Sequence, residues 1–266
     1  MNLDLDELLS EWEDCGGEEI CARLLRGEDG SEVVQLRVDL GILQMYLDSR
    51  PDGTRYRGMP TVYDHFQHER QTGDEPSEED WQELHRELQQ YNYRRLALSA
   101  LAEEAFRGGD SERGRVFLQR TLRDIERCLA ILGELQTNED EWDGALAVLV
   151  PTLIFNRVRL LTRLRMEEER YEEAIEEVEY GIRELTHALA DTGLQDEPGE
   201  PNPAVAYLDQ MGRRLREQHG ITRTLKERLD DAIEREDFEA AARLRDELRR
   251  RRQADLQPKL PFSEEG

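Results

Sequence analysis

The stretch that most constrains the fold lies near the end of the chain, from Leu225 to Leu248. It has two short arms around a polar break, Glu236-Asp237, and in both arms apolar residues recur at the spacing of one helix face. Asp237 is a residue type that favours the N-cap of the second arm. The sequence therefore predicts an antiparallel helical hairpin. Two helices this short bury too little apolar area to be stable alone, so we expect the hairpin to pack against something else.

Residues 238–248 of this hairpin, FEAAARLRDEL, resemble the UVR motif. Members of that family share an aromatic-acidic pair, a pair of small residues and an Arg-Asp. The matching pairs in this chain are Phe238-Glu239, Ala241-Ala242 and Arg245-Asp246. The motif is found at the end of UvrB, inside UvrC and in some Clp-ATPase and McsA-type regulators, where it self-associates or pairs with another such hairpin. The resemblance therefore implies a protein docking element.

The helical spacing and the resemblance together predict which residues contact the partner. The predicted contacts are Leu225, Leu229, Ile233, Phe238, Glu239, Ala241, Ala242, Arg245, Asp246 and Leu248. We expect Arg245 and Asp246 to set the register through salt bridges or helix-end hydrogen bonds. The resemblance implies a second copy of the chain, a UvrB/UvrC-like protein or a Clp-type ATPase or protein-arginine kinase system as the partner. McsA-like proteins also carry CxxC zinc modules, which this sequence lacks.

The charge distribution distinguishes the C-terminal hairpin from the rest of the chain. The 266 residues have a formal net charge of −25, whereas residues 213–252 hold 13 basic and 10 acidic residues. An acidic surface repels phosphate backbones, so we expect no direct binding of nucleic acid. The run Arg249–Arg252 suits the negative end of a helix dipole. The alternative is a docking patch for an acidic partner or for nucleic acid.

The N-terminal part is predicted to form a small β unit. Two runs rich in Val, Ile and Leu, Ile20–Arg26 and Glu32–Leu40, flank the turn signal GEDGS (Gly27–Ser31), which is typical of a β-hairpin. The next run, Gly41–Leu47, either continues the second strand or opens a third. A short helix over Thr61–Arg70 closes the unit. Because so small a sheet is marginal alone, its apolar face should lie on the helices that follow.

From Trp81 onward helical periodicity dominates, with a faint repeat at an offset of 60 residues. Each copy has a long helix, a tight turn and a second long helix, and the turn Gly108–Asp110 aligns with Glu168–Arg170. The inter-helix regions are similar to those of tetratricopeptide repeats, although the period exceeds 34 residues and the Trp-Leu-Gly-Tyr signature is missing. We therefore expect two stacked helical hairpins in a TPR-like style. Such stacks share a core and present one face to a partner.

The predicted fold class is mainly α: stacked TPR-like helical hairpins with a small N-terminal β-hairpin unit and a C-terminal UVR-like helical hairpin. The predicted divisions are 1–72 for the β unit, 77–196 for the TPR-like hairpins, 197–203 for a linker, 204–253 for a helix plus the UVR-like hairpin, and 254–266 for a disordered tail. Within the helical region, Pro151 either kinks a helix or marks its first turn.

The predicted location is cytoplasmic, without a membrane span. No stretch approaches the length needed to cross a bilayer, and the acidic start MNLDLDELLSEWED lacks the pattern of a signal peptide. The chain has an odd number of cysteines, three, and no CxxC motif, so the sequence indicates neither a disulfide framework nor a zinc ribbon.

Candidate catalytic chemistry is scarce. The only cluster with ligand-like spacing is Asp64-His65-x-x-His68-Glu69, in which the two histidines would share a helix face and could bind a metal. No third ligand can be named. The chain also lacks a Gly-rich phosphate loop, GxSxG and HExxH. We therefore expect a non-enzymatic adaptor without a cofactor or metal; the alternatives are an accessory factor of nucleotide excision repair and an unrecognised metal-binding enzyme.

The tail contains a second docking candidate. Gln257, Leu260 and Phe262 form the pattern Q-x-x-L-x-F, which resembles the short peptides that dock bacterial replication and repair proteins on the sliding clamp. An extended peptide with these side chains suits an apolar groove. The opposing interpretation is a chance match, since six-residue patterns recur and two prolines restrict the backbone.

Overall fold

The computed structural model describes residues 9, 12, 20–27, 30–39, 41–138, 140–191 and 202–256, with side chains as far as residue 250. These ranges contain three strands: β1 (Ala22–Arg26), β2 (Glu32–Val38) and β3 (Gly41–Tyr46). Eight helices follow within them: α1 (Val62–Thr72), α2 (Glu78–Arg107), α3 (Ser111–Leu135), α4 (Gly144–Glu167), α5 (Tyr171–Asp191), α6 (Pro203–His219), α7 (Leu225–Glu234) and α8 (Phe238–Leu256). The predicted mainly-α class, with an N-terminal sheet and a C-terminal helical hairpin, is confirmed.

The three strands form one antiparallel sheet in the order β1-β2-β3. Val34 in the central strand pairs with Leu24 on one side and with Met45 on the other. The run after Gly41 therefore opens a third strand. Val34, Leu36 and Met45 are buried in a cluster with apolar residues of α2 and α3, so the sheet lies on the helices as predicted.

The connection from the sheet to the helices has conventional helix-end signals. Thr61 is the N-cap of α1, and its hydroxyl accepts from the amide of Asp64. Ser77 starts α2 with a capping box that includes Asp80. Both signals are local in sequence, which is why both starts were predicted within a residue.

The two long hairpins, α2/α3 and α4/α5, have the same turn. In each turn one residue adopts a left-handed backbone, Gly109 with φ 80° and Glu169 with φ 59°. The next amide then donates to the carbonyl five residues earlier, and a new helix begins. These positions are 60 residues apart, so the predicted repeat is confirmed at the level of the backbone. The likeness to tetratricopeptide repeats stays a prediction.

Consecutive helices from α2 to α6 pack side by side. One apolar cluster joins α1 to α2, α3 and α4, and another joins α4, α5 and α6. At the α4–α5 crossing a Cβ on Gly181 would collide with Val158. A glycine at this position therefore allows the close approach of the two helices.

Helix α4 departs from expectation in two respects. Among the described helices it is the one whose length and apolar composition would suffice to cross a membrane, so the prediction that no stretch approaches that length is wrong. It nevertheless packs between α3 and α5, with Leu153, Ile154 and Val158 buried. Pro151 lies inside this helix, because the helix already begins at Gly144 and is capped by Asp143.

The cysteines also differ from the prediction. Cys128 is free and buried in the helical core, and burial raises the pKa of its thiol to about 12. Cys21, just before β1, is disulfide-bonded. The expectation of no disulfide was therefore wrong for this residue, whose partner lies outside the described residues.

Candidate interaction site: the C-terminal helical hairpin

Helices α7 and α8 form the predicted hairpin, joined by Arg235, Glu236 and Asp237. Glu236 adopts a left-handed backbone with φ 57°. The amide of Asp237 then donates to the carbonyl of Ala232 at 2.9 Å. The side chain of Asp237 accepts from the amide of Ala240 at 3.0 Å. Asp237 is therefore the N-cap of α8, as the sequence predicted.

The base of the hairpin is tied to the preceding helix, α6. Thr224 caps α7 in a capping box with Glu227. Arg216, in the last turn of α6, donates to Glu227 Oε1 at 2.7 Å and also pairs with Glu179 of α5. Burial opposes ionisation of Glu227, but hydrogen bonds from Thr224 and Arg216 outweigh it and lower the carboxyl pKa. One arginine thus connects three helices at this end.

A second tie comes from α5. The carboxylate of Glu176 accepts from the backbone amide of Lys226, in the first turn of α7, at 3.3 Å. A carboxylate at a helix N-terminus satisfies an unpaired amide and complements the helix dipole. Burial raises the pKa of Glu176. With Leu225 only 1% exposed beside it, this end of the hairpin belongs to the scaffold rather than to a free surface.

The opposite end of the hairpin is open. Ile233 is 52% exposed at the end of α7, and Phe238 is 72% exposed at the start of α8. Of the other predicted contacts, Leu229, Ala241, Ala242 and Leu248 are half-buried, and Glu239 is exposed. The ten predicted residues therefore do not form one surface. Leu225 lies in the base, whereas Ile233 and Phe238 form an exposed apolar tip.

The Arg-Asp pair lies on the exposed part of α8. Arg245 Nη2 is 3.8 Å from Asp246 Oδ1, and both side chains are more than half exposed. The observed ion pair joins neighbours on one helix rather than two helices. The expected role of Arg245 and Asp246 in setting the register of a partner stays a prediction.

The histidine cluster predicted from spacing is not assembled as expected. His68 is exposed, whereas His65 is buried with Nε2 at 3.0 Å from Glu69 Oε1 and 3.5 Å from Asp80 Oδ1. Asp64 instead pairs with Arg127 at 3.4 Å. The described residues that could hold a metal are thus His65, Glu69 and Asp80, and the pairing of His65 with His68 was wrong.

Asp80 is already well supplied with donors. Its Oδ1 accepts from the Tyr56 hydroxyl at 2.6 Å and lies 3.1 Å from Arg57 Nη2, and its Oδ2 accepts from the Ser77 amide at 2.7 Å. Burial opposes ionisation, but the hydrogen bonds from Ser77 and Tyr56 outweigh it, so the pKa of Asp80 is lowered. Asp80 thus belongs to a polar network that holds the loop before α1 against α2.

The other docking candidate cannot be placed. Gln257, Leu260 and Phe262 lie outside the described residues. Helix α8 continues to Leu256, three residues past the end predicted for the hairpin.

The family model described as the UvrB/uvrC motif matches residues 221–253, which comprise α7, the turn and most of α8. This segment is a UVR motif. The UVR hairpin is thus the two-helix unit described above, and the resemblance predicted from Phe238-Glu239, Ala241-Ala242 and Arg245-Asp246 is confirmed. No curated protein and no solved structure matches the chain.

Sequence reasoning missed the residues that anchor the UVR hairpin. Arg216, Glu176 and Glu179 lie outside the motif, and the two glutamates are about forty to fifty positions before it. Acidic residues are so frequent in this chain that no single one stands out. The one available signal was Arg216 in the last turn of a predicted helix, where a cation is favourable.

Proposed function

We propose that the protein is a non-enzymatic adaptor that docks on another protein through its UVR hairpin. The observation that carries the proposal is the contrast between the two ends of the hairpin. Arg216, Glu176 and Leu225 hold its base on the scaffold. Ile233 and Phe238 leave an apolar tip in solvent. Large exposed apolar residues held on a rigid element are typical of interaction sites.

Residue chemistry at the tip supports binding more than catalysis. The UVR motif is an interaction element without catalytic residues, and the exposed tip offers an aromatic ring and an aliphatic chain rather than a nucleophile with a base. An aromatic anchor surrounded by half-buried alanines can enter an apolar pocket of a partner. A cytoplasmic location is part of the proposal. The cytoplasm is a reducing compartment, which disfavours a disulfide such as the one at Cys21. Cell fractionation therefore tests the proposed location.

The test compares three forms of the full chain in affinity purification with quantitative mass spectrometry. The first is the unaltered chain, and the second carries Ile233→Ser and Phe238→Ser. The third, a matched control, carries Tyr180→Ser, which alters an exposed aromatic residue of α5. We expect the double variant to lose a partner that the control retains. That partner then distinguishes a UvrB/UvrC-like protein from a Clp-type protein.

Identical sets of captured proteins from all three forms would contradict the proposal. Circular dichroism of each form shows whether it is folded. Since Ile233, Phe238 and Tyr180 are each more than half exposed, we expect all three forms to fold alike.

A further inference from the structure

The UVR hairpin has the same turn as the two long hairpins. Gly109, Glu169 and Glu236 are the left-handed residues of the three turns. In each case the following amide bonds to the carbonyl five residues earlier, and the amide four residues further on begins the next helix. The three turns can therefore be aligned residue by residue, which also aligns the second helices of the hairpins, α3, α5 and α8.

In this alignment the position of Leu118 in α3 corresponds to Val178 in α5 and to Arg245 in α8. Leu118 is buried in a cluster that includes Leu164 of α4. Val178 is buried and faces α6, because a Cβ built on Gly212 of α6 would be 3.2 Å from its Cγ1. This position is thus buried in both long hairpins, and in the second it faces the helix that follows in the stack.

The equivalent face of α8 is open and basic. Arg245 replaces the buried Leu118 and Val178, and Arg249 lies at the position of Leu122 and Ile182. No helix follows α8 within the described residues. Arg245 and Arg249 are exposed, so two arginines stand on an open face at positions that are apolar in the preceding hairpins.

The residues on this face indicate what kind of partner it can bind. Phe238, Ala241, Ala242, Arg245 and Arg249 share one side of α8 by helical spacing. The carboxylates of the same stretch fall on its other sides, by the same spacing: Glu239, Asp246 and Glu247. The docking face thus combines an exposed ring and small apolar side chains with two exposed arginines, of which Arg245 lies 3.8 Å from Asp246.

We propose that this face receives an amphipathic helix of a partner protein, with carboxylates along the edge of its apolar stripe. The helix occupies the position that α6 occupies beside the second long hairpin. A second copy of the same face offers arginines rather than carboxylates, so the two faces would not complement each other in charge. This inference rests on the proposed adaptor function and specifies the partner's chemistry.

The experiment uses the full chain and a designed helical peptide with a leucine stripe flanked by glutamates, together with a twin in which lysines replace the glutamates. Binding is measured by fluorescence anisotropy at physiological salt. The test variant carries Arg245→Glu and Arg249→Glu. The matched control carries Arg243→Glu and Arg250→Glu, which make the same change in net charge on the opposite side of α8.

We expect the acidic peptide to bind the unaltered chain and the control with affinities within about threefold of each other. We expect the test variant to lose about tenfold or more in affinity for that peptide, and to gain affinity for the lysine twin, because the charge pairing is reversed. Equal losses in both variants would overturn the inference, since they would show general charge attraction. The absence of binding by the acidic peptide would also overturn it.

Failure of the inference is distinguishable from failure of the proposed function. If the variant with Ile233→Ser and Phe238→Ser loses its captured partner while Arg245→Glu with Arg249→Glu retains it, the adaptor function stands and the acidic helix is wrong. Association of the chain with itself, unaffected by the arginine reversals, would likewise contradict the acidic helix.

Discussion

Replacing Phe238 with alanine should weaken partner binding strongly while leaving the fold almost unchanged. The ring is 72% exposed, so about 140 Å² of the roughly 200 Å² that a phenylalanine offers remains accessible. At about 25 cal/mol per Å², burial of that area in a partner's pocket contributes about 3.5 kcal/mol. We therefore expect a loss of about three hundredfold in affinity. Folding stability should fall by only about 0.5 kcal/mol, as for other exposed residues.

Two measurements on the same preparations test this reasoning. Isothermal titration calorimetry with the captured partner gives the affinity, and urea denaturation gives the free energy of unfolding. Tyr180→Ala, at an exposed aromatic of α5, is the control and should alter neither quantity appreciably. Unchanged affinity in Phe238→Ala would refute the apolar tip as the anchor. A stability loss of about 3 kcal/mol or more would instead show that the ring is buried in the free protein.

Three further predictions concern the scaffold. Glu169→Gly should raise the free energy of unfolding by about 0.5–1 kcal/mol, because a left-handed backbone is unfavourable for a residue with a side chain. Gly109→Glu should lower it by a similar amount, and urea titrations measure both. Gly181→Ala should destabilise by about 1–3 kcal/mol through its clash with Val158, and Val158→Ala should recover part of that loss. The pKa of Asp80 is lowered in the folded state, so its contribution to the free energy of unfolding is present at neutral pH and is lost as the pH falls through that pKa. Asp80→Asn should therefore reduce the dependence of the free energy of unfolding on pH in the acid range.

Local signals in the sequence predicted most of the helix and strand boundaries. The capping residues Thr61, Ser77 and Asp237 mark helix starts because a side-chain oxygen bonds amides only two or three residues away. Alternation in Glu32–Leu40 predicted β2 for a similar reason, since period-two burial depends on neighbouring residues alone. The repeat was also detectable, because both copies place apolar residues at the same distances from their turns.

Contacts between distant residues could not be predicted in the same way. Arg94 lies in an aromatic-basic run, YNYRR, of the first long helix, and side chains of such a run are usually shared between core and surface. In the structure it is buried, with both Nε and Nη2 at 2.7 Å from Asp124, and its Nη1 donates to the carbonyls of Tyr46 and Ser49. These contacts form only because α3 and the loop after β3 both pack against α2. No local pattern in the sequence around Arg94 indicates that packing.

The candidate site shows the same division between local and distant information. The motif pairs and the turn at Glu236 could be predicted from the sequence, whereas the solvent exposure of the predicted contact residues could not. Helical spacing placed Leu225 and Phe238 in one contact, but Leu225 is buried at the base and Phe238 is open at the tip. What separates them is the docking of α7 on α5 and α6 through Glu176 and Arg216.

This docking relates the overall charge of the chain to the use of its UVR hairpin. Two short helices need external support, and here the acidic scaffold supplies it through Glu176 and Glu179, which bind the first turn of α7 and Arg216. These two carboxylates thus already have partners at the base of the hairpin. Arg245 and Arg249 of α8 are exposed instead, and the ion pair of Arg245 is with its neighbour Asp246. A chain of net charge −25 therefore holds an exposed face with two arginines and an aromatic ring, which an acidic helix can reach.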